Sequence, residues 1–121
     1  MSKIDRQNLP QNRVVSLRKS KIVAVVPAYN EAGSVSGVIG ELQALKFDNH
    51  EIDLVVVDDG SRDETRAIAL AAGAQVISLP YNMGIGMTVQ TGFKYALSHG
   101  ANFVVQVDGD GQHVPDEIEK L

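Results

Sequence analysis

The sequence contains no cysteine. This absence excludes disulfide bonds, thiolate metal sites and cysteine nucleophiles. The longest apolar runs, such as residues 22–29, are far shorter than the roughly 20 residues of a membrane-spanning helix. The first 21 residues lack the apolar core of a signal peptide, and no G-x-x-x-x-G-K-[ST] phosphate-binding loop is present. We therefore expect a cytoplasmic protein that does not use a P-loop.

The composition is typical of one small globular domain. The chain has 121 residues, of which 44% are hydrophobic and 21% are charged, enough to bury a substantial core. The first 21 residues carry six of the 11 lysines and arginines but only one of the 15 acidic residues. We predict a basic, poorly ordered tail over 1–20 and a domain over 21–121. Such a tail could contact an anionic membrane surface, although a solvated leader is the simpler interpretation, and we predict no nucleic-acid partner.

Apolar periodicity predicts strands that alternate with helices. The predicted strands cover 21–26, 53–57, 74–79 and 102–107, and the predicted helices cover 30–45, 61–72 and 86–99. Ser61 and Glu64 have the spacing of a capping box at the second helix, and Gly73 would end it. This alternation predicts an α/β fold with a Rossmann-like, doubly wound parallel sheet of strand order 3-2-1-4.

A polar loop follows each predicted strand, at 27–31, 58–64, 80–86 and 108–113. Parallel strands place all four loops at the same edge of the sheet. The strand order reverses between the first and fourth strands, and ligands bind at such switch points. We therefore predict a ligand site built from these loops.

The last of these loops carries a candidate metal site. Asp108 and Asp110 flank a glycine, and Gln112 follows two residues later. Carboxylate and amide oxygens suit Mg²⁺ or Mn²⁺, although a polar turn stays an alternative interpretation. We exclude an EF-hand because His113 replaces the required glycine and a strand precedes the loop. His113 itself stays open as a functional residue.

Two other loops suggest a nucleotide. Asp59 could accept hydrogen bonds from a base or from ribose hydroxyls, as acidic residues after a second strand do in other α/β folds. The glycines of 84–92 do not match a dinucleotide fingerprint, because Val89 occupies the third glycine position and the loop follows the third strand. We therefore exclude NAD and FAD.

Taken together, the loop sequences resemble the nucleotide-binding half of family 2 glycosyltransferases, which have the GT-A fold. The similar segments are "VVPAYNEAGSV", "VVVDDGSRDET", "YNMGIGMTVQTGF" and "DGDGQHVPDEI", and the resemblance covers residues 21–121. The Gln-His pair after the Asp-x-Asp motif is similar to the branch that loads sugars onto polyprenyl or dolichyl phosphate.

The resemblance implies a role for each matching residue. The nucleotide would be bound by Pro27, Tyr29, Glu31, Asp59 and Asp108, and Mg²⁺ or Mn²⁺ would be held by Asp108, Asp110 and Gln112. The implied reaction is metal-dependent, inverting transfer of a sugar from a nucleotide-diphospho-sugar to a lipid phosphate, peripherally at the cytoplasmic face of a membrane. A saccharide or other acceptor and a non-catalytic nucleotide-binding module are the alternatives. The family's domain continues further, so the resemblance also implies a truncated donor half that is weakly active or inactive alone, with its catalytic residues unknown.

Overall fold

The structure is a computed structural model that describes residues 20–110 and the backbone of 119–120. Within these residues, five strands and three helices follow one another. The strands are β1 (Ser20–Ala28), β2 (His50–Asp58), β3 (Gln75–Ser78), β4 (Phe103–Gln106) and β5 (Glu119–Lys120), and the helices are α1 (Val35–Ala44), α2 (Thr65–Ala71) and α3 (Ile85–Ser98).

The strands form one sheet in the order β3-β2-β1-β4-β5. The first four pair in parallel, so the predicted order 3-2-1-4 is confirmed. β5 pairs antiparallel with the outer edge of β4, with Phe103 opposite Lys120. This strand was not predicted from the sequence. Antiparallel edge strands on otherwise parallel sheets are common.

Helices cover both faces of the sheet, as a doubly wound fold requires. Val23 and Val25 of β1 belong to the core cluster that includes Ala96 of α3. Their neighbours in the strand belong to the cluster under α1 and α2. A strand buried on both faces reads as a continuous apolar run, which is why β1 and β2 were recognisable in the sequence.

Two helices begin later than predicted. The first begins at Val35 instead of residue 30, and the second begins at Thr65 instead of Ser61. The predicted capping role of Ser61 is wrong: the N-cap residue is Glu64, which makes no side-chain cap hydrogen bond. Ser61 instead accepts a hydrogen bond from the Asn30 N–H at 2.9 Å. Hydrogen bonds between the loop after β1 and the loop after β2, such as those of Asn30 with Ser61 and with the Arg62 N–H, therefore occur where the sequence predicted the first turns of two helices.

Ser20, predicted as the last residue of the tail, is the first residue of β1, and its N–H donates to the Asn49 carbonyl at 3.0 Å. The rest of the predicted tail, together with Gln112 and His113, lies outside the described residues. Within 20–110 and 119–120, no helix combines the length and the apolar character needed to span a membrane.

Candidate donor-binding site

A cleft with a volume of about 500 Å³ lies at the carboxyl edge of the sheet. It opens where β1 and β4 lead into their loops, at the predicted switch point. Its lining includes every described residue that the sequence analysis assigned to a nucleotide or a metal, namely Pro27, Tyr29, Glu31, Asp59, Asp108 and Asp110. The fold therefore brings these six residues to one place, although their roles stay predictions.

Asp59 forms part of the cleft wall and also holds a neighbouring loop. The residue is 5% exposed, and its two carboxylate oxygens accept hydrogen bonds from the N–H groups of Met83 at 2.6 Å and Gly84 at 2.9 Å. A Cβ on Gly60 would lie 2.4 Å from the Tyr81 carbonyl carbon, so the two loops touch through their backbones. Each carboxylate oxygen has a second lone pair, so contact with a bound base stays compatible with this arrangement.

Hydrogen bonds of Asn30 connect the loop after β1 to the loop after β2. This residue has a φ of +53°, in the left-handed region that asparagine tolerates better than most residues. Its N–H donates to Ser61 Oγ, and its Oδ1 accepts from the Arg62 N–H at 2.8 Å. The reciprocal pair fixes the backbone between Tyr29 and Glu31, both of which line the cleft.

Thr65, which is completely buried, forms a second hydrogen-bonded connection between the two loops. Its hydroxyl donates to Asp63 Oδ1 and accepts from the Glu31 N–H at 2.8 Å. Asp63 also accepts from the Ala32 N–H through its other oxygen at 3.2 Å. The hydrogen bond from the Thr65 hydroxyl keeps the pKa of the Asp63 carboxyl below its ordinary value. An ionised Asp63 is the acceptor that this arrangement needs.

The Asp108–Asp110 turn lies directly against β1. The Gly109 N–H donates to the Pro27 carbonyl at 3.2 Å. A Cβ on Gly109 would lie 3.1 Å from Ala28 Cβ and from the same carbonyl oxygen. This contact is tighter than a side chain ordinarily makes, so glycine suits the position. The close approach brings the two flanking aspartates into the cleft lining.

The carboxylate oxygens at this turn are suitable ligands for a hard divalent cation. Asp108 and Asp110 both line the cleft, and carboxylate oxygens are the ligands that Mg²⁺ and Mn²⁺ prefer. In the part of the chain that the structure describes, no group of three or more His, Cys, Asp or Glu side chains could hold a metal. A cation bound by Asp108 and Asp110 would therefore need further oxygen ligands, from a bound diphosphate or from Gln112. Gln112 lies outside the described residues.

Several cleft residues were not identified from the sequence. Asn82, Thr88 and Gln106 also line the cleft. Gln106 did give a signal, since it is the polar residue in an otherwise apolar strand. Thr88 is 1% exposed, and its hydroxyl donates to the Ile85 carbonyl at 2.8 Å. Its burial depends on the packing of α3, which the sequence pattern does not reveal.

Comparison with known proteins identifies the family. A sequence profile of glycosyl transferase family 2 matches residues 23–121. The chain belongs to this family. The match includes all four loops that form the cleft, and the predicted resemblance is thereby confirmed.

Two curated relatives of this family 2 chain have names that specify lipid acceptors. The UDP-N-acetylglucosamine–dolichyl-phosphate N-acetylglucosaminyltransferase of Methanococcus voltae is 34% identical over 117 residues, which cover 83% of this chain and 45% of that protein. The polyprenol monophosphomannose synthase of Mycolicibacterium smegmatis is 30% identical over 110 residues, covering 84% of this chain and 39% of that protein. The chain thus spans less than half the length of these relatives.

A solved structure has a similar fold. The glucosyl-3-phosphoglycerate synthase of Mycobacterium tuberculosis, in complex with Mn²⁺, UDP and glucosyl-3-phosphoglycerate, matches with a TM-score of 0.60 and 26% identity. The match covers 90% of this chain and 39% of that one. That protein therefore binds a divalent metal together with a nucleoside diphosphate on a related fold.

Proposed function

We propose that this family 2 chain binds a nucleotide-diphospho-sugar together with Mg²⁺ or Mn²⁺ and forms the donor side of a glycosyltransferase that acts on polyprenyl phosphate. The observation that carries the proposal is the convergence in one cleft of Pro27, Tyr29, Glu31 and Asp59 with the aspartate pair of the Asp-x-Asp motif. Loops that are far apart in the sequence supply these residues. A merely polar surface turn would not require such convergence.

The charge of the cleft supports the need for a cation. Four carboxylates line it, those of Glu31, Asp59, Asp108 and Asp110, and a diphosphate would add further negative charge. Like charges at short range repel, and an intervening cation converts this repulsion into attraction. We assign the cation to Asp108 and Asp110, with Gln112 as a further predicted ligand. When bound, the metal would stabilise the negative charge that develops on the leaving diphosphate.

The remaining cleft residues would orient the nucleotide. Asp59 stands on the β2 side of the cleft and has lone pairs available for a base N–H or for ribose hydroxyls. Pro27 and Tyr29 form the wall that continues β1. Because hydrogen bonds fix the backbone at Asn30, Glu31 and Ala32, the loop end of this wall is set before a ligand arrives. A preformed wall reduces the entropy cost of binding.

The relatives' names support a lipid phosphate as the acceptor. Two of them specify dolichyl phosphate or polyprenol. A phosphate is already anionic at neutral pH, so its attack on the anomeric carbon would need little help from a general base. Direct attack would invert that carbon. With this acceptor the protein would work peripherally at the cytoplasmic face of a membrane.

A second acceptor class is favoured by the solved relative. Its complex contains glucosyl-3-phosphoglycerate, a small water-soluble compound. The donor side proposed above would serve either acceptor class, because none of the roles assigned to the cleft residues involves the acceptor. Transfer assays with both acceptor classes distinguish the two.

The donor proposal is tested by calorimetry with UDP and GDP, each with and without Mn²⁺. We expect Mn²⁺ to strengthen the binding of one nucleotide at least about tenfold, as direct metal–diphosphate contact implies. Asp110→Asn should remove most of this metal effect, whereas the exposed Asp48→Asn should retain it. Equal nucleotide affinity with and without Mn²⁺ in the wild-type chain would contradict the proposal.

A further inference from the structure

Ser34 occupies the N-cap position of α1 but does not cap the helix. A serine at this position ordinarily accepts a hydrogen bond from a backbone N–H of the first turn. Here the residue has φ −128° and ψ −20°, and its side chain makes no cap hydrogen bond. The hydroxyl instead donates to the Gly109 carbonyl at 2.7 Å, across 75 positions of sequence. The helix thus lacks a capping interaction that its own sequence offers.

The Gly109 carbonyl is the preferred acceptor for this hydroxyl. Glu31 Oε1 is also within reach, at 3.3 Å, but a hydroxyl carries only one proton. The bond to Gly109 is shorter by more than half an ångström and therefore dominates. Ser34 itself is anchored, since its N–H donates to the Glu31 carbonyl at 3.0 Å.

Gly109 is therefore held on both sides of its Cα. Its N–H donates to the Pro27 carbonyl, and its carbonyl accepts from Ser34. A glycine has more backbone freedom than any other residue, so two hydrogen bonds restrict a part of the chain that would otherwise sample many conformations. The residues on either side are Asp108 and Asp110, and the directions in which their side chains leave the backbone depend on the Gly109 dihedral angles.

We propose that Ser34 is a positioning residue, whose hydroxyl fixes the Asp108–Asp110 turn so that both carboxylates reach the same metal and diphosphate. This inference rests on the proposed function of that pair. A local preference that is given up, here a helix cap, is expected where a functional site imposes its own geometry. Groups that orient metal ligands affect metal affinity without contacting the metal.

Calorimetry on three variants tests the role. We expect Ser34→Ala to weaken Mn²⁺-dependent UDP binding about 10- to 100-fold, the range typical of groups that orient metal ligands. UDP binding without Mn²⁺ should change less than about twofold, because the nucleotide contacts assigned above do not involve Ser34. Ser34→Thr retains the hydroxyl and should recover most of the affinity. Ser98→Ala is the matched control, because Ser98 also donates to a backbone carbonyl, that of Tyr95 at 3.0 Å, far from the turn.

Nuclear magnetic resonance of the metal-free chain separates this inference from the proposed function. Ser34→Ala should shift the backbone amide signals of Gly109 and Asp110 and lower their order parameters, Ser34→Thr should restore them, and Ser98→Ala should leave them unchanged. If wild-type UDP binding proves independent of Mn²⁺ while these signals respond, the metal assignment fails and the holding of the turn stands. Unchanged Gly109 and Asp110 signals in Ser34→Ala would overturn the inference, as would an equal loss of UDP affinity with and without Mn²⁺.

Discussion

Single residues in this chain often serve the loop network and the cleft at once. Asp59 accepts hydrogen bonds from the N–H groups of Met83 and Gly84 and also lines the cleft. Thr65 is buried, and its hydroxyl accepts a hydrogen bond from the N–H of Glu31, which lines the cleft. Substitutions at such positions affect both stability and binding, so an experiment must measure the two quantities separately.

Asp59→Asn distinguishes base recognition from loop support. An asparagine oxygen can replace only one of the two accepting oxygens, and its NH₂ group would face a backbone N–H. We expect the variant to lose about 1–3 kcal/mol of unfolding free energy, because hydrogen bonds to a charged acceptor are stronger than neutral ones. UDP affinity should also fall, by at least about tenfold if the carboxylate contacts the base.

Urea denaturation and calorimetry on the same preparation measure both effects. Glu51→Gln is a suitable control, because Glu51 is an exposed carboxylate on the same strand, β2, and does not line the cleft. A stable Asp59→Asn variant with unchanged UDP affinity would show that Asp59 supports the loop without contacting the nucleotide.

At the scale of the elements, the α3 helix packs very closely on β1. A Cβ on Gly92 would lie 2.2 Å from Val25 Cγ1, and both residues belong to the interior of the fold. Gly92→Ala should therefore push the helix from the sheet and destabilise the chain by about 1–3 kcal/mol, as overpacking does. Because α3 follows directly from the Asn82–Gly84 turn, the cleft wall should shift with it.

Gly40→Ala is the matched control for this prediction. Gly40 lies in α1, is exposed, and has open space where a Cβ would stand. The same substitution should here stabilise the chain by about 0.5–1 kcal/mol through helix propensity. Urea denaturation of the two variants should therefore move in opposite directions. Stabilisation by both substitutions would contradict the close helix–sheet contact.

The elements also show which features the sequence could predict. The buried runs of β1 and β2 and the glycine that ends α2, with φ +92°, have local causes and were predicted. The starts of α1 and α2 were not predicted, because Asn30 is hydrogen-bonded to Ser61 and to the Arg62 N–H. These contacts join two loops that are about 30 positions apart, and the sequence does not indicate which residues pair. The pairing of β5 was also missed. A strand of two residues is too short for a recognisable sequence pattern, and it is defined by its pairing with β4.

The same distinction applies to the cleft. Its aspartates were predicted because carboxylates directly after buried strands have few structural explanations. Ser34 was missed because its partner lies 75 positions away, and because the position also matches an ordinary N-cap. Residues that support a site through long-range hydrogen bonds require coordinates to be recognised, whereas residues that contact the ligand often carry a chemical signal of their own.

At the scale of the whole molecule, binding a donor and transferring its sugar make different demands. The cleft and its supporting loops explain how a nucleotide and a metal would be bound. Transfer also requires an acceptor held in line with the anomeric carbon, and such positioning can contribute roughly 7–11 kcal/mol to catalysis. The chain matches 45% and 39% of the lengths of two relatives named for lipid acceptors. It therefore corresponds to less than half of each of those proteins.

We therefore expect the 121-residue chain to bind UDP or GDP with Mn²⁺ but to transfer little or no sugar to polyprenyl phosphate. Slow, metal-dependent hydrolysis of the sugar nucleotide should persist, because the cation proposed at Asp108 and Asp110 would stabilise the leaving diphosphate without an acceptor. The measurement is extraction of radiolabelled lipid-linked sugar, alongside release of free sugar, with Asp110→Asn as the control that should lose the hydrolysis. Robust metal-dependent transfer by the wild-type chain would contradict this prediction, because it would show that the chain itself can hold an acceptor in line with the anomeric carbon.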